Sequence, residues 1–198
     1  VSAPLERIGV LGGTFDPIHH GHLAAASEVC AALDLDRMLL VPTNVQPFKT
    51  DVTSAPAHHR LEMCRLAVKG DERFGVSAVD VDRGGVTYTV DTLRDLGREY
   101  PDAQLYFVTG ADALERFSQW RDAHVLSTLA TFVGVTRPGH SLGQSDTPHS
   151  LVEVPALAVS STDVRRRVGA GAPIRYLVPR AVADYIAQHD LYSGGSDE

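Results

Sequence analysis

Arg7-Ile8-Gly9-Val10-Leu11-Gly12-Gly13-Thr14-Phe15-Asp16-Pro17-Ile18-His19-His20-Gly21-His22 is the stretch on which the fold turns. An apolar run stopped by two glycines reads as a buried strand with a turn at Gly12 and Gly13. From His22 to Leu33 apolar residues recur at helical spacing, so a helix follows, opening near Gly21. Small residues after a strand and ahead of a helix let backbone come close to a ligand. The helix start, with its unpaired N–H groups and dipole, favours an anion there. His19 and His22, three apart, bring two imidazole donors to the same helix start. No Gly-Lys-Ser/Thr follows, so this is not a Walker loop, and the spacing is not GxGxxG. Asp16 before Pro17 reads as a common turn pair, and His20 as a solvated side chain.

Outward from this segment, short apolar runs alternate with helical periodicity. Strands are expected over Arg37 to Val41 (closed by Pro42), Phe74 to Val81, Gln104 to Thr109, Thr131 to Thr136 and Leu151 to Val154. Helices are expected over Ala57 to Val68 and Thr89 to Glu99, briefly from Asp112, from Ser160, and from Pro179 to His189. Thr50 to Pro56 and Arg137 to Ser150 read as loops. This order describes an α/β protein with an open, doubly wound parallel sheet, in which ligands sit at the carboxyl ends of the strands. The residues after Leu11, Val41, Thr109 and Thr136 therefore matter most.

The bulk numbers narrow the function. With 198 residues, 43% hydrophobic and 22% charged, the chain suits one domain with an ample core. A formal net charge of -7 argues against broad binding of nucleic acid or anionic membrane, so any phosphate site must be locally basic. No apolar run approaches a membrane span or a signal-peptide core, and a cytoplasmic protein is expected. Cys30 and Cys64 lie among apolar neighbours without metal or CxxC spacing and read as small buried hydrophobes. Oligomeric state stays open, a homo-oligomer included, since no heptad or apolar patch declares itself.

A second anion-facing element is Val159-Ser160-Ser161-Thr162-Asp163-Val164-Arg165. Ser160 with Asp163 fits a capping box. Ser161 and Thr162 add hydroxyls, and Arg165, one turn on, suits phosphate oxygens. Arg166 and Arg167 read as a solvated face.

Together GGTFDPIHHGHL and VSSTDVR resemble the two signatures of the nicotinate/nicotinamide-mononucleotide adenylyltransferases, a branch of the HxGH nucleotidyltransferase superfamily, and within it the bacterial nicotinate-mononucleotide members. Supporting pieces follow in order: Pro47-Phe48-Lys49, Gly84 to Leu93, Gly110-Ala111-Asp112 with Trp120, and Thr136-Arg137-Pro138-Gly139. The resemblance implies a Rossmann-like nucleotidyltransferase fold with a small C-terminal helical part. It implies one domain over 1–192, helical at about 160–192; Ser193 to Glu198 reads as a frayed, flexible polar tail (193–198).

The implied reaction transfers the adenylyl group of ATP to nicotinate mononucleotide, with Mg²⁺ held mainly by the phosphates and no protein metal ligand. On the family pattern, His22, His19 and Arg165 would be catalytic. Gly12, Gly13, Thr14, Phe15, Gly110, Asp112, Ser161 and Thr162 would bind ATP with them. Lys49, Tyr88, Thr89, Trp120 and Arg137 would take the mononucleotide. Phe48 stands where relatives often have His, and Arg116 where an aromatic is common, which leaves the acceptor pocket less defined. Alternatives are a nicotinamide-mononucleotide or phosphopantetheine adenylyltransferase, or a non-catalytic nucleotide sensor.

Overall fold

The computed structural model describes residues 5–46, 55–136, 149–155 and 157–193. Its strands are β1 (Glu6–Gly13), β2 (Arg37–Pro42), β3 (Phe74–Val76), β4 (Ala103–Gly110), β5 (Thr131–Thr136) and β6 (His149–Glu153). They form one parallel sheet in the order β3-β2-β1-β4-β5-β6. The helices are α1 (His20–Ala32), α2 (Ala57–Val68), α3 (Val79–Arg83), α4 (Thr89–Glu99), α5 (Ala111–Leu114), α6 (Ala123–Leu129), α7 (Ser161–Gly169) and α8 (Arg180–Gln188), with a 3₁₀ turn at Phe117–Gln119. Among the described residues no helix is long and apolar enough to cross a membrane.

The strands are nearly all apolar because helices cover both faces of the sheet. Ile8, Val10, Leu39, Val41, Leu105, Phe107 and Phe132 point to one face, against Val90, Leu93 and Leu96 of α4 and Leu126 of α6. Their alternates Met38, Leu40, Tyr106, Val108, Val133 and Val152 point to the other, against α1, α2, α7 and α8. Val164, Val182 and Ile186 belong to this second core, so the C-terminal helices close the sheet rather than hang from it. Each large aliphatic side chain so buried contributes roughly 1.5–3 kcal/mol. Cys30 and Cys64 are free and lie in the same layer.

The strand order reverses direction between β1 and β4. That is the switch point of a doubly wound sheet, where the carboxyl ends of two neighbouring strands open a crevice. Gly13 closes β1 there and Gly110 closes β4.

Three expectations need correction. Gly12 and Gly13 do not turn: the strand runs through both, and the turn falls at Asp16 and Pro17, whose peptide is cis. The Phe74 to Val81 strand stops at Val76, and α3 begins at Val79. The helix is favoured because it buries Asp80 with Arg83 one turn on, 2.5 Å away, and under the Thr92 hydroxyl at 2.7 Å. Ser150 belongs to β6, not to the loop before it; residues 137–148 of that loop lie outside the described residues. The 3₁₀ turn and α6 were not expected from the sequence.

Candidate active site

The segment after β1 is organised by its two histidines. His19 is the N-cap of α1, in extended backbone, and its Nδ1 accepts the His22 N–H at 3.4 Å. His22 reciprocates, its Nδ1 accepting the His19 N–H at 3.3 Å. This is a capping box built from imidazoles. The rings stack, centroids 3.7 Å apart and 17° from parallel. With Nδ1 engaged as an acceptor, a neutral ring carries its proton on Nε2. The box therefore fixes which edge donates. Burial pushes the His19 ring down to about 4, with the His20 ring adding to the effect, so it works as a neutral donor at neutral pH. Space is tight at Gly21: a Cβ there would stand 3.0 Å from His19 Nδ1 and 3.1 Å from Val159 Cγ1, so a side chain would press on the His19 ring. Two N–H groups of the first turn of α1 are already used, that of His20 by the Leu177 carbonyl at 3.0 Å and that of His22 by the His19 ring. The helix tip thus offers its dipole and the imidazole edges more than a row of open N–H groups.

Phe15 sits in the left-handed region (φ 49) with its ring buried, edge-on to His22 at 5.1 Å. The Thr14 hydroxyl donates to Gln46 Oε1 at 2.7 Å, tying this loop to the one after β2.

The tip of α7 meets the same loop. Ser160 caps α7 by accepting the Asp163 N–H at 3.1 Å. The Ser161 and Thr162 N–H groups precede the first intrahelical bond, from Val164 to Ser160. The Ser161 hydroxyl donates to the Pro17 carbonyl at 2.9 Å. Arg165 Nη1 donates to the Asp16 carbonyl at 2.7 Å and lies 3.8 Å from the Asp16 carboxylate, while Nη2 donates to Thr162 Oγ1 at 3.3 Å. Its side chain is 27% exposed, so Arg165 is both anchored and open to the cleft.

Behind the loop lie groups that sequence reasoning missed. Arg60 of α2, 3% exposed, donates to four carbonyls: Thr14 and Thr43 at 2.7 Å, Asn44 at 2.8 Å and Ala55 at 2.9 Å. A signal existed, since Arg60 shares the helical face of Met63 and Cys64, where a charge is out of place. Asp16, read as a turn residue, is 5% exposed. Its Oδ1 accepts the Ala55 N–H at 3.0 Å and the Tyr192 hydroxyl at 2.6 Å. Nothing local to Tyr192 announced that contact.

The remaining candidate residues are assembled differently. Asn44, after β2, donates its N–H to Thr87 Oγ1 and its amide to the Gly85 carbonyl, both at 2.9 Å, and Thr87 returns its N–H to Val45 at 2.8 Å. This clasp delivers the chain to Tyr88, the N-cap of α4, which no side chain caps, and to Thr89, its first residue. The Arg121 guanidinium lies 4.5 Å over the Tyr88 ring. Trp120 is half-buried among Phe117, Phe132 and Phe107, at 5.5, 6.0 and 6.1 Å. At the end of β4, a Cβ on Gly110 would stand 2.6 Å from Asp112 Oδ1, so only glycine lets that carboxylate fold back over the strand end.

The structure thus brings Gly12, Gly13, Thr14, Phe15, His19, His22, Ser161, Thr162 and Arg165 to one loop and two helix tips. Tyr88, Thr89 and Trp120 pack on the other face of the sheet. Phe107 touches both groups, its ring 3.4 Å from where a Gly12 Cβ would lie. Lys49 and Arg137 lie outside the described residues.

A family model described as cytidylyltransferase-like matches residues 10–167. A probable nicotinate-nucleotide adenylyltransferase of Clavibacter michiganensis subsp. michiganensis is 55% identical over 194 residues, covering 96% of each chain. One from Leifsonia xyli subsp. xyli is 57% identical over 189 residues, covering 94% of each. Among solved structures, Plasmodium falciparum nicotinic acid mononucleotide adenylyltransferase complexed with NaAD superposes with a TM-score of 0.78 over 97% of this chain and all of that one. At 19% identity that likeness speaks for the fold alone. The helix-tip histidines at the switch point and the near full-length identity agree: this chain belongs to the nicotinate-nucleotide adenylyltransferases, within the cytidylyltransferase-like family.

Proposed function

We propose that the chain transfers the adenylyl group of ATP to the phosphate of nicotinate mononucleotide, giving nicotinate adenine dinucleotide and pyrophosphate in NAD biosynthesis. The observation that carries this reading is the imidazole capping box at α1, set beside the tip of α7 by the Ser161–Pro17 and Arg165–Asp16 bonds.

An oxygen of the acceptor's 5′-phosphate attacks the α-phosphorus of ATP. The bond from that phosphorus to the bridging oxygen breaks, and pyrophosphate leaves with the electron pair. The nucleophile is already ionised, so no protein base is needed, and the work is alignment and charge stabilisation. His22 Nε2–H donates to the α-phosphate, where charge builds, and His19 to the neighbouring phosphates. Arg165 and the tip of α7, with Ser161 and Thr162, hold the triphosphate. Backbone of Gly12 to Phe15 lines the cleft, and Gly110 and Asp112 receive the adenosine ribose. Because His19 stays neutral, full positive charge comes from Arg165 and, in the proposal, from Lys49 and Arg137 on the mononucleotide phosphate.

Mg²⁺ enters as a companion of the ATP phosphates, whose charge it would offset. The donors at the cleft, imidazole N–H and guanidinium, suit anions, so the phosphates and water would hold the ion.

The pyridine ring stacks on Trp120 beside Tyr88. The uncapped start of α4 at Thr89 supports the nicotinate reading, since helix N–H groups favour a carboxylate over a neutral amide. Buried, unpaired Cys30 and Cys64 suit a reducing compartment, which supports a cytoplasmic setting.

The test is incubation with ATP, Mg²⁺ and each pyridine mononucleotide in turn. Dinucleotide and pyrophosphate are expected, with higher kcat/KM for the nicotinate form. Equal or better efficiency with the nicotinamide form overturns the acceptor assignment. No pyrophosphate with any acceptor leaves a nucleotide sensor.

A further inference from the structure

The buried carboxylate behind the phosphate-facing loop has no step of its own in the chemistry. Desolvating a carboxylate costs several kcal/mol unless it is paired and hydrogen-bonded, and an apolar residue would hold segments together at less cost. Asp16 is fully enclosed nonetheless, and its partners come from three separate parts of the chain. Ala55, just ahead of α2, gives an N–H; Tyr192, beyond α8, gives a hydroxyl; Arg165 of α7 lies 3.8 Å from Oδ2 and bonds the carbonyl of the same residue.

The Tyr192 contact is built with some effort. Past α8 the chain turns back through Asp190 (φ 49) and Tyr192 (φ 65), left-handed conformations that disfavour side-chain-bearing residues. The Leu191 N–H donates to the Ile186 carbonyl at 3.1 Å, and Leu191 and Tyr192 pack against the core, which fixes the turn. The phenol is driven upward by burial, with Asp16 adding, so it remains a donor at any ordinary pH.

We infer that Tyr192 is a positioning residue for the triphosphate side of the cleft: its hydroxyl holds the Asp16 carboxylate, and Asp16 in turn sets the Arg165 guanidinium. Without the phenol, Oδ1 keeps, among the described residues, the Ala55 N–H alone, and the carboxylate is free to turn. Arg165 then keeps its bond to the Asp16 carbonyl but loses the fixed negative charge 3.8 Å from Nη1, while its other edge bonds, among the described residues, to Thr162 alone. Tyr192 touches no substrate; it acts through two intermediaries. The inference rests on the reading of Arg165 as a triphosphate ligand.

A double-mutant cycle tests it, with Tyr192→Phe and Arg165→Lys made singly and together. The readout is kcat/KM for ATP at saturating acceptor, well below the unfolding temperature, with thermal unfolding followed in parallel. In the native background Tyr192→Phe is expected to lower kcat/KM for ATP about five- to tenfold, the scale of one ordinary hydrogen bond, with the acceptor KM within about twofold. Where Arg165 is already lysine, the same substitution is expected to cost less than about twofold. Equal losses in both backgrounds, or a lowered Tm with kcat/KM unchanged, overturn the inference and leave Tyr192 a fastening only. Should Tyr192→Phe not fold, Asp16→Asn takes its place in the cycle, with the same expectations. The cycle is also read as affinity for a non-hydrolysable ATP analogue by calorimetry. A native protein that binds the analogue but makes no dinucleotide sinks the proposed reaction while the cycle still decides on Tyr192; one that binds no analogue sinks both.

Discussion

The two halves of the cleft are built on different plans. The side proposed to hold the triphosphate is one contiguous segment, Gly12 to His22, clamped by a single helix tip through directional hydrogen bonds to Asp16 and Pro17. The proposed acceptor side gathers Asn44, Thr87, Tyr88, Trp120 and Arg121 from separate elements, held largely by aromatic packing and one clasp of hydrogen bonds between the Asn44 and Thr87 loops. Hydrogen bonds at a helix tip fix atoms to a few tenths of an ångström, which a developing charge requires. Packed rings fix a slot, which suffices to orient a flat base. In the proposed reaction the first half would serve the adenylyl transfer itself, and the second would select the acceptor.

If that division of labour holds, substitutions on the two sides differ in kind as well as size. The largest effect is expected for His22→Ala, a fall of about 100-fold or more in kcat at saturating substrates, roughly 3 kcal/mol of transition-state stabilisation. A loss below about tenfold would break the comparison at its stronger end.

Next comes a pH effect on stability from His19. Its folded-state value of about 4 lies below the ordinary 6.5, so between the two the unfolded chain takes up the proton and the folded one does not. Stability from this group is therefore complete above about pH 6.5, declines as the pH falls towards 4, and is flat below; the whole amounts to about 3 kcal/mol. Urea unfolding across that range should show the loss, and His19→Asn, which keeps a capping acceptor without the titration, should reduce it. An identical pH profile in the variant would mean that the ring is not desolvated as described.

On the acceptor side, Trp120→Ala is expected to raise the mononucleotide KM about tenfold, the scale of one lost stacking contact, while the ATP KM stays within about twofold. A matching rise in both constants would erase the distinction between the halves. The smallest effect is expected for Ser160→Ala, a lost N-cap worth about 1 kcal/mol, seen as a fall in Tm of about 2–4 °C.

What was legible in the sequence follows the same division. Strands announced by apolar runs stopped at glycine or proline, such as Arg37 to Val41 and Thr131 to Thr136, stand in the sheet nearly as read. The histidine pair was legible because both members and the helix they cap are neighbours in the chain. Asp16, Arg60 and Tyr192 were not: Asp16 meets Ala55 across 39 positions and Tyr192 across 176, and Arg60 meets Thr14 across 46. The Val79 to Arg83 segment misled because its alternation suits a strand, while the partner that stabilises the helical form, Thr92, lies on the next helix. Local rules find what local contacts hold; groups held across the fold leave little trace in a single sequence.

The claim beneath all of this is that the α1 histidines and the tip of α7 face one bound triphosphate. A crystal structure with a non-hydrolysable ATP analogue addresses it directly. Phosphate oxygens are expected within hydrogen-bonding distance of Nε2 of both His19 and His22 and of the Ser161 or Thr162 N–H. Phosphates bound elsewhere, with those donors turned to protein or solvent, would contradict the account.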